Sequence, residues 1–335
     1  MPAEVPARHR RDRPGVPSPC ETPMPSTNRW AVRDDDHMPV GRVAVKTVRM
    51  RLDAVWVELR ASLCASSDPT GTTMTDVEHV HRLRVATRRA LAAIDAFGDV
   101  LPARRRAWFE KRLVRLRRAA GEARDLDVLS TRLSRQETPE ARSRRRLVAM
   151  LSKQRDQSRT PIRELHEVLT EEDWPGRVDR LVENVDRRRR QPDFGSYASR
   201  HFKPMIADFF AVADGPLRNA AGMHALRIQG KKLRYALEIF ATAMPGKAVA
   251  RCRKSLELMQ QSLGEFTDHA AAADRLARWA RSADAGASRE FLTMLRRDET
   301  AKAAAARKAF SRWWNPARRR SLRKRLEQAS KRRSA

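Results

Sequence analysis

The feature that most constrains the fold of this chain is a stretch that it contains twice. Residues 80–102 read VHRLRVATRRALAAIDAFGDVLP, and residues 223–245 read MHALRIQGKKLRYALEIFATAMP. At a constant offset of 143 residues, the difference between positions 81 and 224, the matching pairs are His81 with His224, Leu83 with Leu226, Arg84 with Arg227, Arg88 with Lys231, Arg89 with Lys232, Phe97 with Phe240, Pro102 with Pro245, Lys111 with Lys254, Gly121 with Gly264, Glu122 with Glu265 and Asp125 with Asp268. This gapless match predicts a duplicated structural unit.

Both copies have helical periodicity, with apolar and basic residues on opposite faces. The apolar positions are Leu83, Ala90, Ile94 and Phe97 in the first copy and Leu226, Leu233, Leu237 and Phe240 in the second. The basic positions are His81, Arg84 and Arg88 in the first copy and His224, Arg227, Lys231 and Arg234 in the second. A solvated helix face normally mixes both signs of charge, whereas only Asp95 and Glu238 oppose these cations. The repeated cations therefore favour a binding surface, with an ordinary solvated face as the alternative.

The composition predicts an all-α fold. Glycines number only 13, Ala, Leu, Arg and Glu dominate, and β-branched runs of strand length are missing. The helices are predicted at about 41–65, 75–102, 103–120, 138–170, 176–190, 195–213, 218–243, 247–262, 265–284, 286–312 and 318–333. We expect Gly121 to break or bend the third helix and Pro161 to kink the fourth. The last helix is basic on nearly every side and is interpreted as a tail that adds affinity for anions.

Short connections between the helices predict two helical bundles related by a pseudo-two-fold axis. Pairing of the copies would bring the face of His81 toward the face of His224, so that a row of cations lines each wall of a basic cleft. The predicted halves cover about residues 40–190 and 194–330, joined by the linker RRRRQPD. Residues 1–38 are rich in Pro, Ser, Arg and Asp, which predicts disorder. Met24 and Met38 are alternatives to Met1 as the natural start.

The charge of the chain predicts a polyanionic partner or an anionic surface. Lys and Arg number 70 against 41 Asp and Glu, a formal net charge of +29. Three scattered cysteines, Cys20, Cys64 and Cys252, form neither a disulfide framework nor a CxxC zinc motif, so free thiols in a reducing compartment are expected. No apolar run approaches the roughly 20 residues of a membrane span. We therefore expect a cytoplasmic protein.

The duplicated pattern resembles a known family. Each copy has His, two residues, Arg, three residues, Arg or Lys, and then an aromatic residue before Pro. The first copy is followed by LRRAAGEARDLDVL (116–129) and the second by LMQQSLGEFTDHAAA (258–272). Together these features resemble the CHAD domain, the conserved histidine α-helical domain, over roughly residues 40–330. The resemblance implies a basic cavity or pore where the two halves meet, and inorganic polyphosphate as the ligand.

Forked guanidinium groups and ammonium groups are suited to phosphate oxygens. On the resemblance, the expected polyphosphate-binding residues are His81, Arg84, Arg88, Arg89, Lys111, His224, Arg227, Lys231, Lys232, Arg234 and Lys254. Weaker candidates are Arg115, Arg118 and Arg124, whose repeat partners are Leu258, Gln261 and Thr267. We expect a binding protein without catalytic residues, metal or cofactor, which associates with polyphosphate granules or targets polyphosphate.

Two alternatives concern single residue types. Each signature histidine could be structural, could bind a metal or could face phosphate, but one histidine per signature is too few for a metal site. If the histidines face phosphate, their pKa should rise and binding should strengthen as the pH falls toward 6. Asp125 and Asp127 could hold a metal for phosphate hydrolysis. The favoured interpretation is instead that Asp125 caps a helix after Gly121 and pairs with cations across the bundle.

Two further alternatives concern the partner. Nucleic acid would also attract this charge through counterion release, and weak non-specific binding is expected. However, single-strand binding usually needs aromatic platforms, and the signature faces offer only Tyr235. Recognition-helix and zinc-finger motifs are absent as well. A basic amphipathic protein lying on an anionic membrane is disfavoured, because the repeats predict a closed bundle with internal partners.

Overall fold

The computed structural model describes residues 37–64, 74–134, 141–187, 190–215, 217, 219–282 and 289–331. These residues form α1 (Val40–Cys64), α2 (Met74–Ala96), α3 (Ala103–Ser134), α4 (Ala141–Glu171), α5 (Trp174–Val182), α6 (Phe194–Ala213), α7 (Ala220–Phe240), α8 (Gly246–Arg281), α9 (Arg289–Trp313) and α10 (Pro316–Ala329), with a short 3-10 helix at Ala241–Ala243. The described residues contain no β-strand, so the all-α prediction is confirmed. The segment predicted to be disordered lies outside the described residues except for its last two positions.

The second five helices pack in the same order as the first five. In each half the first helix packs on the second, the second on the third and the third on the fourth. The fifth helix returns to the first and third, so that α5 contacts α1 and α3, while α10 contacts α6 and α8. Across the halves α2 packs on α7. The order of these contacts is thus the same in the two sets of five helices.

The predicted apolar faces of α2 and α7 form the centre of a shared core. Their eight predicted positions are all buried. Phe97 and Phe240, which the repeat aligns, meet edge to face with ring centroids 6.4 Å apart, and Tyr197 of α6 stacks on Phe97 at 6.0 Å. Since aromatic pairs of this geometry stabilise a core beyond the area that they bury, the two copies are held together by the residues that they share.

A second, smaller apolar cluster joins the far ends of the long helices. Leu126 and Leu151, from α3 and α4, belong to the same buried cluster as Leu276 and Leu292, from α8 and α9. The two halves therefore touch at α2 and α7 and again at these distal ends.

Three local predictions require correction or comment. Gly121 and Gly264 do not end helices, because α3 and α8 run through them for 32 and 36 residues. A single glycine costs a helix only about 1 kcal/mol, which the packing of these long helices outweighs. Pro161 lies within the continuous helix α4. The last helix is not a tail, since Leu322 and Leu326 of α10 are buried in the common core.

Candidate functional site

A groove of about 700 Å³ lies beside the contact between α2 and α7. We call it the α2/α7 groove; its lining residues are Arg84, Arg88, Leu91, Ala92, Asp95 and Ala96 of α2, Glu110, Val114 and Arg117 of α3, Met205 of α6, and His224, Arg227, Ile228, Lys231, Lys232, Tyr235 and Ala236 of α7. Six of these side chains are Arg or Lys and two are acidic. The lining therefore carries an excess of positive charge on two helices that the repeat aligns.

Each of the outer cations of the groove faces an aspartate of a neighbouring long helix, more closely in the first copy than in the second. The guanidinium of Arg84 binds the carboxylate of Asp125 on α3, with 2.9 Å between Nη1 and Oδ1. The guanidinium of Arg227 lies 3.9 Å from Asp268 on α8. Asp125 and Asp268 are themselves repeat partners. Each long helix thus supplies one carboxylate that holds an outer arginine in place.

The inner cations, Arg88 and Lys231, lack such carboxylates. Arg88 is hydrogen-bonded to Tyr235, and its pKa is lowered to about 10 by burial and then by repulsion from Arg84. Burial, followed by repulsion from Arg88 and Arg227, lowers the pKa of Lys231 to about 6. Among the described residues Lys231 has no ion-pair partner. The inner part of the groove is therefore a site of uncompensated positive potential, where Lys231 is largely neutral at pH 7.

The two signature histidines differ in position. His224 is exposed and lines the α2/α7 groove. His81 is also exposed but lies outside the lining, near Arg124. Although much of His81 reaches solvent, partial burial lowers its pKa, and Arg124 and Arg84 lower it further. Without a bound anion, His81 is therefore neutral at pH 7.

Arg89 and Arg234 are tied to one buried carboxylate rather than directed into the groove. Glu238, only 5% exposed, receives the Nη1 of Arg234 at 2.7 Å and lies 3.4 Å from the Nε of Arg89. Arg234 also donates to Gln260 at 2.9 Å. Nearby on α1, Arg51 is buried, and its pKa is lowered by burial and then by Arg89. Glu238 thus joins arginines from both copies in a buried ionic cluster.

The remaining predicted residues lie outside the groove lining. Lys111, Arg115, Arg118 and Lys254 occupy exposed positions on α3 and α8, and Arg124 is partly buried beside His81. The side of α3 that reaches the groove carries Glu110, Val114 and Arg117 instead. Of these, Arg117 is a groove cation that the sequence analysis missed, because its repeat partner is Gln260 and the pairing of cations drew attention to the neighbouring positions.

Asp125 and Asp127 do not form a pair of metal-binding carboxylates. Asp125 lies within α3, not at a helix start, and it binds Arg84, so its predicted capping role is wrong and its predicted pairing with a cation is confirmed. Asp127 is 2% exposed and accepts the Nε of Arg155 at 2.8 Å, with Arg159 at 3.7 Å. Burial raises the pKa of Asp127 although Arg155 opposes the rise. Each aspartate is therefore held by a different arginine.

No group of three or more His, Cys, Asp or Glu side chains in the described ranges is arranged to hold a metal ion. None of the helices in the described part of the chain is both long and apolar enough to cross a bilayer.

One family model and several solved structures match this chain. The family model of the CHAD domain matches residues 58–277. Among solved structures, the crystal structure of the CHAD domain from the plant Ricinus communis matches with a TM-score of 0.68 and 20% identity, covering 91% of this chain and 96% of that one. PptA from Streptomyces chartreusis matches with a TM-score of 0.54 and 19% identity, covering 82% of this chain and 99% of that one. No curated protein matches significantly. At these identities the structural likenesses show a shared fold.

Proposed function

Because the chain belongs to the CHAD domain family, we propose that it binds inorganic polyphosphate in the α2/α7 groove. The observation that carries this proposal is the convergence of aligned cations: Arg84 and Arg88 from the first copy line the same groove as Arg227 and Lys231 from the second. Polyphosphate is a linear chain with negative charge on every phosphate. A double row of Arg and Lys matches that charge without needing a base or a sugar.

The electrostatics of the groove favour a ligand of high charge density. In the unliganded protein burial, followed by the charges of Arg88 and Arg227, lowers the pKa of Lys231 to about 6, so that it is largely neutral at pH 7. Phosphate oxygens placed between Arg88 and Lys231 would replace the missing carboxylates and return the proton to Lys231. Binding at neutral pH is therefore coupled to the uptake of one proton, and the ammonium that forms donates charge-assisted hydrogen bonds to the phosphate oxygens.

The same site supports a binding role rather than catalysis. The carboxylates best placed by sequence for hydrolysis, Asp125 and Asp127, are engaged by arginines. The proposal assigns the chain no catalytic residue, metal or cofactor. Its role would be to attach to polyphosphate, including polyphosphate granules, or to target it for other proteins.

Nucleic acid is the main competitor for a groove of this charge. Tyr235, the aromatic residue of the signature faces, is 7% exposed, and the guanidinium of Arg234 covers its ring at 4.6 Å. It is therefore not available to stack on a base. This favours polyphosphate over single-stranded nucleic acid as the principal ligand of the groove.

The proposal is tested by competition among polyanions. The full chain is titrated with long-chain polyphosphate, single-stranded DNA and duplex DNA at about 0.3 M salt, where diffuse electrostatic attraction is screened. A groove variant with Arg84, Arg88, Arg227 and Lys231 changed to Ala is titrated alongside. We expect polyphosphate to bind more tightly than either DNA and its affinity to fall about 100-fold or more in the groove variant.

A matched control removes the same number of cations elsewhere. Lys111, Arg115, Arg118 and Lys254 are exposed and lie outside the groove lining, and changing them to Ala should cost only a few-fold in affinity at this salt concentration. Equal losses in the two variants, or equal affinity for all three polyanions, would show that the protein is a general cationic surface. The α2/α7 groove would then not be the binding site.

A further inference from the structure

A second concave site lies on the other side of the second half. It is a cavity of about 370 Å³ between α8, the end of α9 and α10, and it shares no lining residue with the α2/α7 groove. We call it the α8/α10 cavity; its lining residues are Ser255, Leu258, Trp313, Trp314, Asn315, Ala317, Arg318, Ser321, Leu322 and Arg325. Its walls combine two indole rings, two leucines and two guanidinium groups.

The corresponding place in the first half is filled by the protein itself. Trp108 of α3 packs against Trp174 with ring centroids 6.0 Å apart. The guanidinium groups of Arg112 and Arg177 lie over its indole at 4.3 and 4.5 Å. Glu172 completes the arrangement by accepting the Nε of Arg112 at 3.1 Å. An aromatic ring between guanidinium groups, with a carboxylate beside them, thus closes the gap between α3 and α5.

The second half has a buried Trp and a nearby Arg as in the first half, but it lacks the residues that fill the space between the helices. Trp174 is the first residue of α5 and Trp314 lies just before the cap of α10; both are buried, and each helix has Pro in its first turn. Arg177 and Arg318 each stand two residues after that Pro. At the offset of 143 residues, however, Trp108, Arg112 and Arg115 are replaced by Arg251, Ser255 and Leu258. The ring of Trp108 therefore has no counterpart on α8, no carboxylate pairs with Arg318 among the described residues, and Leu258 is left 44% exposed.

The surroundings of the cavity are strongly basic. Arg319 and Arg323 of α10 are neutralised by Asp214 at 3.3 and 2.6 Å. Arg318 lies over the indole of Trp313 at 4.3 Å, and Arg325 donates a hydrogen bond to the hydroxyl of Ser255 at 3.3 Å. These two arginines on the rim therefore face no carboxylate among the described residues. A partner that fits must bring both an apolar ring and negative charge.

We infer that the α8/α10 cavity is a docking site for an acidic segment of a partner protein, which inserts one large aromatic side chain between Leu258 and Arg318. The carboxylates of that segment bind Arg318 and Arg325, as Glu172 binds Arg112 in the first half. Polyphosphate does not fit this description, because it has no apolar part to cover Leu258 and the indoles. Trp and Arg anchors of this kind dominate the binding energy of protein interfaces. The site would let the protein hold a partner while the α2/α7 groove holds its own ligand.

The test uses two synthetic peptides as probes, Asp-Glu-Trp-Glu-Asp and Asp-Glu-Ala-Glu-Asp, titrated into the full chain. We expect the first peptide to bind about tenfold more tightly than the second, the gain of one desolvated aromatic contact with a cation. In the variant Arg251→Trp, an indole at the position of Trp108 should fill the cavity and abolish that tenfold difference. Arg251→Ala removes the same charge without filling the cavity and should keep it. Polyphosphate affinity should be the same in these two variants.

Other results would overturn the inference. Equal binding of the two peptides, or a tenfold preference that survives Arg251→Trp, would mean that the cavity takes no aromatic side chain. Tighter binding of adenosine monophosphate than of either peptide, lost in Arg251→Trp, would make the occupant a nucleotide. A gain in peptide affinity on changing Trp30, which precedes three aspartates at 34–36, to Ala would make the occupant the chain's own segment. If Arg251→Trp fails to fold, Leu258→Glu places a carboxylate at the mouth and should give the same loss.

Discussion

The two halves of the molecule share one scaffold but differ in the inner cation of the α2/α7 groove. The first half supplies Arg88, whose pKa of about 10 keeps it charged at neutral pH. The second half supplies Lys231 at the aligned position, and its pKa of about 6 leaves it largely neutral. Burial and neighbouring cations lower both pKa values, but a guanidinium starts from a higher ordinary pKa than an ammonium. Tyr235 also hydrogen-bonds Arg88 and raises its pKa. One copy thus provides a permanent charge and the other a charge that depends on the ligand.

The largest expected effect comes from removing a contact that both halves share. Glu238→Ala leaves Arg51, Arg89 and Arg234 buried without their carboxylate. We expect the free energy of unfolding to fall by about 3 to 5 kcal/mol, the usual cost of breaking a buried ionic cluster from one side. Chemical denaturation measures this, with Glu238→Gln, which keeps one acceptor oxygen and the volume of the side chain, as the milder control. Unchanged stability in Glu238→Ala would show that the cluster is not a structural link.

The second prediction concerns Lys231→Arg, a variant in which both halves carry Arg at the inner position of the α2/α7 groove. Since polyphosphate should return one proton to Lys231, wild-type affinity should fall by about tenfold per pH unit above pH 7, reaching about 100-fold at pH 9. Lys231→Arg should flatten this dependence, because the guanidinium stays charged throughout. Titration calorimetry in buffers of different ionisation enthalpy counts the proton directly. Equal pH slopes in the wild type and in Lys231→Arg would contradict the assignment.

The third prediction separates stability from binding. The ordinary pKa of a lysine is 10.5 and that of Lys231 in the folded state is about 6, so the unfolded chain binds more protons between these values. The contribution of Lys231 therefore makes the free protein more stable as the pH rises through this window. Lys231→Met should remove the penalty at pH 7, raising the free energy of unfolding by roughly 1 kcal/mol, and should weaken polyphosphate binding. Thermal unfolding tests the expected gain in stability, and titration of the same preparation with polyphosphate tests the expected loss of affinity. A less stable Lys231→Met protein would refute it.

The smallest expected effect distinguishes the two signature histidines. His224 lines the groove, whereas His81 lies outside the lining with its pKa lowered. At pH 6, His224→Gln should reduce polyphosphate affinity by about threefold, the worth of one exposed charge-assisted contact, and His81→Gln should reduce it less. The two single variants are compared in one titration series. A larger loss in His81→Gln would place the bound chain on the Arg124 side of α2.

The features that follow from local periodicity were predictable from the sequence. Helical spacing identified the buried faces of α2 and α7, and the repeat identified Arg84, Arg88, Arg227 and Lys231 as aligned cations. The face of α3 could not be predicted in this way, because the rotation of a helix about its axis is set by the helices that pack on it. The same holds for Arg89, whose carboxylate, Glu238, lies in the other copy. The spacing of these arginines in the sequence is that of a solvent-exposed helix face. It gives no sign of a buried carboxylate that lies far away in the chain.

Helix ends were the least predictable elements. Gly121 carries a strong local signal for a break, yet a Cβ built there would meet no atom within 4 Å, so the residue neither needs nor enforces an unusual backbone. The continuity of α3 and α8 comes instead from contacts along their whole length, including the distal cluster around Leu126 and Leu276. In α10, the two leucines spaced by four, Leu322 and Leu326, are the main sequence signal for a helix that packs on the bundle despite its many charges.

The carboxylates of Asp125 and Asp268, which face the outer arginines, also affect how many linked phosphates a ligand needs in order to bind the groove tightly. An ion with a single phosphate can take the place of Asp125 on Arg84, or of Asp268 on Arg227, but it gains little because it replaces one anion by another. A chain that has bound the inner cations delivers its next phosphate to Arg84 or Arg227 at high effective concentration. We therefore expect the affinity for polyphosphate to rise steeply with the number of linked phosphates. Orthophosphate should not bind at concentrations where the polymer binds.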